Sequence, residues 1–331
     1  MSTIKGGIMI WAIGDIHGML DPLTRLISKI TWYHTKIEQD LEKIIFLGDY
    51  IDHGPSSKQV IDYITELPFE KELIMGNHED LLLQFVKQAD LFQRFGNVWF
   101  RGNGGQRTAN SFNPGLNVDE EREDTTPEEL NLDDKYIDFF NNLKLSHVET
   151  IGSRKFVFVH ALFNQNFSVS EQMALKGYDD FHEWRTKNMV WIEDTLIWDR
   201  THPKDHFDDY IVIHGHIPTP RLNEIWSDID DYDPASEFPF IKVKHHPDKN
   251  KASFKYNSLQ YTHLTTADLD DVIAINVDTG SVYGHSLTAI GISEEDLENN
   301  EMTVLKVHGG KGYRKSYDFD SFNIRFSSKI Y

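Results

Sequence analysis

The chain has 331 residues, with 33 Lys and Arg against 53 Asp and Glu, so its formal charge is −20 with histidine neutral. This excess of acid argues against a partner held mainly through nucleic-acid phosphates. Hydrophobic residues make up 39% of the chain and cysteine is absent, which predicts a globular protein and excludes disulfides, thiolate metal sites and cysteine nucleophiles. The apolar run Ile8–Ile13 is too short to span a membrane. We therefore expect a cytoplasmic monomer with no nucleic-acid or membrane partner.

Short apolar runs alternate with amphipathic stretches over the first hundred residues. The runs typical of buried strands are Ile8–Ile13, Ile44–Leu47 and Leu73–Met75. Between them, apolar residues recur at helical spacing in Asp21–Ile30 and in Ser57–Leu67. This βαβαβ order predicts parallel strands with helices on the faces of the sheet. In such folds, sites form at the carboxyl ends of the strands.

The remainder of the chain is less regular but contains three further apolar runs. We predict strands at Lys155–Val159, Tyr210–Ile213 and Val272–Val277. Residues 119–134 contain nine acids and one base, and we interpret this segment as an exposed acidic excursion.

A second acidic segment opens a long polar stretch in the latter half of the chain. Residues 224–237 hold six acids and no base. Since no internal repeat or low-complexity linker is present, we expect residues 1–331 to form a single domain. Its insertions are predicted at about 111–138 and 224–271.

Polar, glycine-containing turns follow three of the predicted strands. They read Gly14-Asp15-Ile16-His17-Gly18, Gly48-Asp49-Tyr50-Ile51-Asp52-His53-Gly54 and Gly76-Asn77-His78-Glu79. Two further strands end in His160 and in His214-Gly215-His216-Ile217-Pro218. Because the carboxyl ends of neighbouring parallel strands meet at one sheet edge, these groups predict a mixed nitrogen and oxygen metal site. Such a donor set suits manganese, iron, zinc or nickel better than copper(I) or calcium.

Each of these motifs has an ordinary structural explanation when it is taken alone. A single glycine-flanked Asp or His is typical of a turn, and Asn77 is a good helix N-cap. His160 by itself is equally typical of a core histidine at the end of a strand. The occurrence of all the motifs in order, each directly after an apolar run, favours the functional interpretation.

Together the motifs resemble the phosphoprotein phosphatase family of binuclear metallophosphatases, whose signature is GDxHG, GDxxDRG and GNHE followed by two separated histidines. Further segments resemble the bacterial and lambda-phage branch of that family. They are Asn103-Gly104-Gly105, Val190-Trp191-Ile192, Ile197-Trp198-Asp199-Arg200 and Ile275–Gly280. The resemblance implies an α/β fold, the calcineurin-like metallophosphatase sandwich. In it, central mixed β-sheets are flanked by helices and the site lies at the carboxyl ends of the strands.

The resemblance also implies a set of ligands for two divalent cations. These ligands are Asp15, His17, Asp49, Asn77, His160 and His216. Asp49 would be shared by both ions, of which manganese is the expected identity and iron, zinc or nickel the alternatives. His214 is the alternative to His216, because it lies one side-chain period away on the same strand face.

Three residues match the catalytic positions of the family. His78 would be the general acid, Asp52 would orient its ring, and Arg200 would bind the phosphoryl oxygens. The substrate-binding set implied by the resemblance is Arg200, His53 and Asn103.

His53 departs from the signature, because GDxxDRG has arginine at this position. Arginine is a permanently charged bidentate donor, whereas histidine is charged only below about pH 6.5 in an ordinary environment. We therefore expect weaker substrate binding than in an arginine-bearing relative, and phosphate affinity that rises as His53 protonates. The alternative is that His53 lies outside the phosphate site.

Three functions remain open at this point. The preferred one is a protein phosphatase acting on phosphoserine and phosphothreonine, with phosphotyrosine and small phosphoesters as further substrates, by direct attack of a metal-bridging hydroxide. The second is a nucleotide hydrolase similar to the diadenosine tetraphosphate hydrolases, which share the metal motifs and the Asn-Gly-Gly element. The acidic insertions argue against a bound polyphosphate chain. The third is an inactive binding protein that retains the scaffold.

Overall fold

The computed structural model describes residues 9–38, 41–89, 97–116, 118, 124–163, 168–174, 209–218, 241–243, 272–298 and 302–309. The strands in these residues are β1 Met9–Ile13, β2 Lys43–Phe46, β3 Glu70–Leu73, β4 Ser146–Ile151, β5 Arg154–Val159, β6 Tyr210–His214, β7 Ile241–Val243, β8 Val272–Asn276, β9 Ser286–Ser293 and β10 Thr303–His308.

Helices connect many of these strands. They are α1 Leu20–Ile37, α2 Ser57–Glu66, α3 Asn77–Val86, α4 Val98–Gly102, α5 Gly105–Phe112, α6 Pro127–Leu130, α7 Asp134–Asn141, α8 Val169–Met173 and α9 Glu294–Glu298, with 3-10 turns at Pro114–Leu116 and Ser281–Tyr283. Within the described part of the chain, none of the helices combines the length and the apolar character that a membrane crossing requires.

The described strands form two mixed five-stranded sheets. The first has the order β10-β9-β1-β2-β3, in which β1, β2 and β3 are parallel and β9 is antiparallel to both β1 and β10. The second has the order β4-β5-β6-β8-β7, with β5, β6 and β8 parallel and an antiparallel strand at each edge. The parallel strands of both sheets are central to the site, because its residues follow their carboxyl ends.

An apolar layer joins the two sheets face to face. Ile10 and Ala12 of β1 share one buried cluster with Phe156 and Phe158 of β5. The intervening residue Trp11 belongs to a different buried cluster, which includes apolar residues of α1. This alternation follows from the two-residue period of strand side chains, so each central strand contributes to both layers. The result is the sandwich that the family resemblance implies.

The predicted βαβαβ unit is confirmed, although its boundaries differ. The third strand is Glu70–Leu73, and it overlaps the predicted strand Leu73–Met75 only at Leu73. Its sequence Glu-Lys-Glu-Leu is exposed or half-buried, because an edge strand needs no continuous apolar run. The first helix continues to Ile37, seven residues beyond the prediction, because Tyr33 packs edge-to-face on the buried ring of Trp11.

The described part of the first acidic segment, residues 124–134, contains helix and keeps its acids exposed. Short helices α6 and α7 lie in or beside it, and they bury Leu130, Tyr136 and Phe140 in the core. Tyr136 and Phe140 recur at helical spacing on the buried face of α7, while the described acids of the segment, Asp124, Glu128, Glu129, Asp133 and Asp134, are exposed. The second predicted insertion, 224–271, lies outside the described residues except for β7.

We predict that Phe156→Ala destabilises the protein by about 3–5 kcal/mol, because it removes a fully buried ring from the layer between the sheets. The change is measured as the free energy of unfolding in urea. Lys155→Ala on the same strand is the matched control, since Lys155 is exposed and is expected to change stability by less than about 0.5 kcal/mol. Equal losses in the two variants would contradict the placement of Phe156.

Candidate metal centre

The turns that follow β1, β2, β3 and β6 come very close to each other, and glycine makes this approach possible. A Cβ at Gly76 would collide with the carboxylate of Asp49, and one at Gly215 would collide with the carboxylate of Asp15. Gly48 has a φ of 100°, and a Cβ there would also meet Gly76. The glycines of the motifs are therefore explained by backbone packing at the site.

Left-handed backbone conformation is concentrated in the same turns. Five site residues have positive φ, namely His17 (48°), Asp49 (52°), Asp52 (69°), His53 (58°) and His216 (75°). Such conformations cost about 1 kcal/mol or more per non-glycine residue and persist where the surrounding fold imposes them. The fold therefore holds these residues in an unfavourable backbone conformation, which fixes the direction of their side chains.

Glu79 fixes two of these turns relative to one another. Its carboxylate accepts hydrogen bonds from the backbone N–H groups of Asp49, Tyr50 and Gly76 at 2.8–2.9 Å, and from Ile51 at 3.3 Å. It thus joins the turn after β2 to the start of α3. Burial raises the pKa of Glu79 to about 7, and the backbone hydrogen bonds oppose this shift.

The first group of candidate ligands consists of Asp15, His17 and Asp49. One ligand atom from each lies within 4.8 Å of the others. His17 Nδ1 lies 3.0 Å from the carbonyl of Ile51, which directs Nε2 towards Asp49 Oδ2 at 3.5 Å. The carboxylate of Asp15 accepts from the backbone N–H of His216 at 3.1 Å.

The second group contains Asp49, Asn77, His160 and His216. Asn77 Oδ1 lies 2.9 Å from His160 Nε2 and 3.0 Å from His216 Nδ1, while His160 Nε2 is 3.4 Å from Asp49 Oδ1. His160 Nδ1 contacts the carbonyl of Leu47 at 2.7 Å, and this contact orients the ring. Asp49 therefore belongs to both groups.

The charge state of these groups fits divalent cations. Burial raises the pKa of Asp15 and of Asp49 well above the ordinary value, and the neighbouring carboxylates of Asp278 and Glu79 add to the shift. Burial lowers the pKa of His17 and His160 well below the ordinary value, which keeps both imidazoles neutral. Clustered carboxylates beside neutral imidazoles form a donor set that a metal ion stabilises.

His78 and Asp52 form a buried pair beside the first group. His78 Nδ1 lies 2.8 Å from Asp52 Oδ2, and the Asp52 carboxylate also accepts from Trp99 Nε1 at 2.9 Å and from Thr108 Oγ1 at 2.6 Å. Burial raises the pKa of Asp52 to about 7 and lowers that of His78 to about 4. The donors from Trp99 and Thr108 stabilise the ionised carboxylate and fix its position.

His53 and Asn103 lie next to this pair. The His53 ring is half-buried, with its centroid 5.0 Å from that of His17 and 5.0 Å from that of His78. Burial and the neighbouring His78 lower the pKa of His53 to about 4. The ring is therefore protonated only at a pH well below the value of about 6.5 that was expected from the sequence. The Asn103 side chain donates to the carbonyl of Val98 at 2.8 Å, and its backbone accepts from His78.

The sequence also predicted a catalytic residue, Arg200, and an alternative ligand, His214. His214 Nδ1 lies 3.1 Å from the carbonyl of Gly215, and in the described part of the chain it joins neither group of candidate ligands. The backbone register of Gly-His-x-Pro thus brings His216 to the centre. Arg200 lies outside the described residues, as do the tryptophan segments at 190–192 and 197–199.

Several residues of the site were missed by sequence reasoning. Trp99 and Thr108 support Asp52 from positions 47 and 56 residues away, and no local pattern marks them. Asp278 is buried with its Oδ1 accepting from the backbone N–H of Gly280. Its signal was present in the predicted strand and turn Ile275–Gly280, to which no role had been given.

Comparison with known proteins finds chains that are similar to part of this sequence. A bis(5'-nucleosyl)-tetraphosphatase (symmetrical) from Legionella pneumophila (strain Lens) is 40% identical over 73 residues, which cover 22% of this chain and 25% of that protein. The asymmetrical bis(5'-nucleosyl)-tetraphosphatase PrpE from Oceanobacillus iheyensis is 34% identical over 93 residues, covering 25% of this chain and 36% of that protein. The chain thus matches only about a quarter to a third of the length of these relatives.

A solved structure is similar over a larger part of the chain. The cold-active protein-tyrosine phosphatase of a psychrophilic Shewanella species has 14% sequence identity and a TM-score of 0.46, covering 92% of this chain and 80% of that one. The family model described as calcineurin-like phosphoesterase matches residues 8–286, a range that includes every candidate ligand above. The chain belongs to the calcineurin-like phosphoesterase family.

Proposed function

We propose that the protein is a metal-dependent phosphomonoester hydrolase of the phosphoprotein phosphatase type, acting on phosphoserine and phosphothreonine. The observation that supports this most directly is the position of Asp49. It joins two groups of metal-ligating atoms directly beside the buried His78–Asp52 pair. This arrangement supports a role for His78 as proton donor to a phosphoryl group held by the proposed metal ligands.

The proposed ligands divide into two sets with one member in common. Asp15, His17 and Asp49 would hold one divalent cation, and Asp49, Asn77, His160 and His216 would hold the other. When bound, two such cations supply Lewis acidity to phosphoryl oxygens and lower the pKa of coordinated water. The set has no thiolate, so manganese fits it, as do iron, zinc and nickel.

His78 is the proposed general acid for the departing alkoxide. The 2.8 Å contact between its Nδ1 and Asp52 holds the ring in one tautomer, and the carboxylate favours a proton on the imidazole against the burial that lowers the pKa of His78. The opposite nitrogen Nε2 lies 3.9 Å from Asp49 Oδ2 and so faces the first group. Arg200 would bind the phosphoryl oxygens, as the resemblance implies.

The strong negative charge of the chain favours substrates with few phosphates. A formal charge of −20 repels a polyphosphate more than a single phosphoryl group. A second candidate, hydrolysis of dinucleoside tetraphosphates, is favoured by the names of the curated relatives, which match over about a quarter of this chain. Both activities would use the same metal ligands and would differ in the residues around the metal centre that contact the substrate.

A paired assay tests the proposal. The manganese-loaded protein is given p-nitrophenyl phosphate, a phosphoserine peptide and diadenosine tetraphosphate at equal concentration. We expect the first two to be hydrolysed with a higher kcat/KM than the third. Preference for the dinucleotide would replace the proposal with the second candidate. No turnover of any substrate would indicate an inactive binding protein.

We predict that Asp49→Asn lowers kcat/KM by more than about 100-fold, because loss even of an outer-shell partner of a metal costs about 10–100-fold in affinity or activity. The fold should survive, since asparagine retains the oxygen that accepts from the His78 N–H. Without metal, the melting temperature should rise, because a buried carboxylate is removed. Asp209→Asn, at an exposed position, is the control and should change neither quantity.

His78→Asn should reduce the rate most for substrates with poor leaving groups. We expect a loss of about 10²–10⁴-fold for the phosphoserine peptide and a smaller loss for p-nitrophenyl phosphate, whose leaving group needs little protonation. His285→Asn is the control, because His285 is an exposed histidine of the same chain. Equal losses for both substrates would argue against the acid role.

His53→Arg should lower KM at neutral pH. Burial holds the pKa of His53 near 4, so the native side chain is uncharged at pH 7, whereas arginine would add a permanent charge. A hydrogen bond to a charged group contributes about 1.5–3 kcal/mol, so we expect KM to fall by at least about tenfold. Steady-state kinetics with p-nitrophenyl phosphate measure the change, and an unchanged or higher KM would indicate that residue 53 lies outside the phosphate site.

A further inference from the structure

We propose that His17, His53 and His78 form an additional cation site, made only of imidazoles, that binds Zn²⁺. Zinc bound there would compete with the cation of the first group of ligands, which contains Asp15, His17 and Asp49. One ring nitrogen from each histidine lies within 4.8 Å of the other two. This histidine triad shares His17 with the set of Asp15, His17 and Asp49, and no residue with the other proposed set.

The three rings are arranged around a common point. Their centroids are 5.0 Å apart for His17 and His53, 4.8 Å for His17 and His78, and 5.0 Å for His53 and His78. All three pairs are close to edge-to-face, with interplanar angles of 77°, 83° and 67°. The rings are therefore not stacked, and one nitrogen of each ring lies within 4.8 Å of the other two.

Hydrogen bonds on the outer side of the triad select which nitrogens are available. His17 Nδ1 contacts the carbonyl of Ile51 at 3.0 Å, and His78 Nδ1 contacts Asp52 at 2.8 Å. In both rings Nε2 is the nitrogen on the side of the Asp49 carboxylate, and in His78 a bound cation would replace the hydrogen bond to the Asn103 backbone. A carbonyl or carboxylate behind a ligating imidazole is the usual support of a zinc-bound histidine.

His53 gives the triad access to solvent. Its ring is half-buried, whereas those of His17 and His78 are buried. Zinc–nitrogen distances of about 2.0–2.1 Å in tetrahedral geometry place ligating nitrogens about 3.4 Å apart. The three nitrogens must therefore move closer together when zinc binds. The half-buried ring of His53 has room for this movement.

His17 cannot serve two cations at once, because only its Nε2 is available. A cation in the triad therefore excludes one bound by Asp15, His17 and Asp49. The two sets differ in chemistry: three imidazoles favour zinc, whereas the carboxylate-rich set also accommodates manganese. The metal that is available would then decide which set is occupied.

Occupation of the triad should inhibit the enzyme. It would engage His78, the proposed proton donor, and withdraw His17 from the first position. This consequence depends on the function proposed above, whereas the binding of zinc does not. The two can therefore be tested separately on the full chain.

The binding experiment uses Mn²⁺-loaded protein, to which Zn²⁺ is added while free Mn²⁺ is followed by electron paramagnetic resonance. We expect zinc to release one Mn²⁺ per chain at low concentration. In His53→Asn, release should need at least about tenfold more zinc, since loss even of an outer-shell partner costs about 10–100-fold in affinity. Asparagine is chosen because it tolerates the left-handed backbone of residue 53, where φ is 58°. His285→Asn is the control and should behave as the native protein.

Simple exchange of zinc for manganese at the first position would also release one Mn²⁺. That exchange does not involve His53, so equal zinc requirements in the native protein and His53→Asn would overturn the proposal. His53→Arg provides a second variant without a ligand at this position and should match His53→Asn. X-ray absorption at the zinc edge of the native protein should show three imidazole ligands, and a carboxylate-dominated shell would also overturn the site.

Activity gives an independent readout. Zinc inhibition of p-nitrophenyl phosphate hydrolysis should weaken in His53→Asn by the same factor as zinc-driven Mn²⁺ release. If the release of Mn²⁺ by zinc depends on His53 but no phosphoester is hydrolysed, the triad stands and the proposed function fails. If hydrolysis occurs and neither release nor inhibition depends on His53, the function stands and the triad is overturned.

Discussion

The burial of several carboxylates at one edge of the sandwich is the constraint on which the rest of the site depends. Each buried carboxylate loses hydration, and each raises the pKa of its neighbours. Glu79 is compensated by four backbone N–H groups, and Asp52 by Trp99, Thr108 and His78. Asp15 and Asp49 lie beside neutral imidazoles and have fewer donors, so bound divalent cations would compensate their negative charge. The number of hydrogen-bond donors from the protein thus distinguishes Glu79 and Asp52, which support the site, from Asp15 and Asp49, the proposed metal ligands.

The two-sheet core allows the strained turns to persist. The left-handed residues of the site all lie in turns after central strands, and these strands are buried on both faces. Because the apolar layers fix the strand ends, the turns cannot relax without disrupting the core. Rigidity of the scaffold and strain of the site are therefore two aspects of one arrangement.

Local sequence signals predicted the parts of the fold and site that are encoded locally. The apolar runs of β1 and β2 and the glycine-flanked motifs after them lie within a few residues, so periodicity and spacing reveal them. The strand β3 was predicted too late in the sequence, because its Glu-Lys-Glu-Leu sequence lacks an apolar run. Pairing of β9 with β1, and the support of Asp52 by Trp99, depend on contacts between distant residues. Only the folded chain brings such partners together.

The environment of His53 shows why residue type alone does not determine function. The sequence identified an ordinary histidine in place of arginine, but the structure encloses it between His17, His78 and the turn of Gly104. A guanidinium only donates hydrogen bonds, whereas an imidazole also offers a lone pair. The replacement therefore removes a permanent phosphate-binding charge and adds a potential metal ligand at the same point. Weaker phosphate binding and sensitivity to zinc would then be two consequences of one substitution, and a change at residue 53 should alter both together.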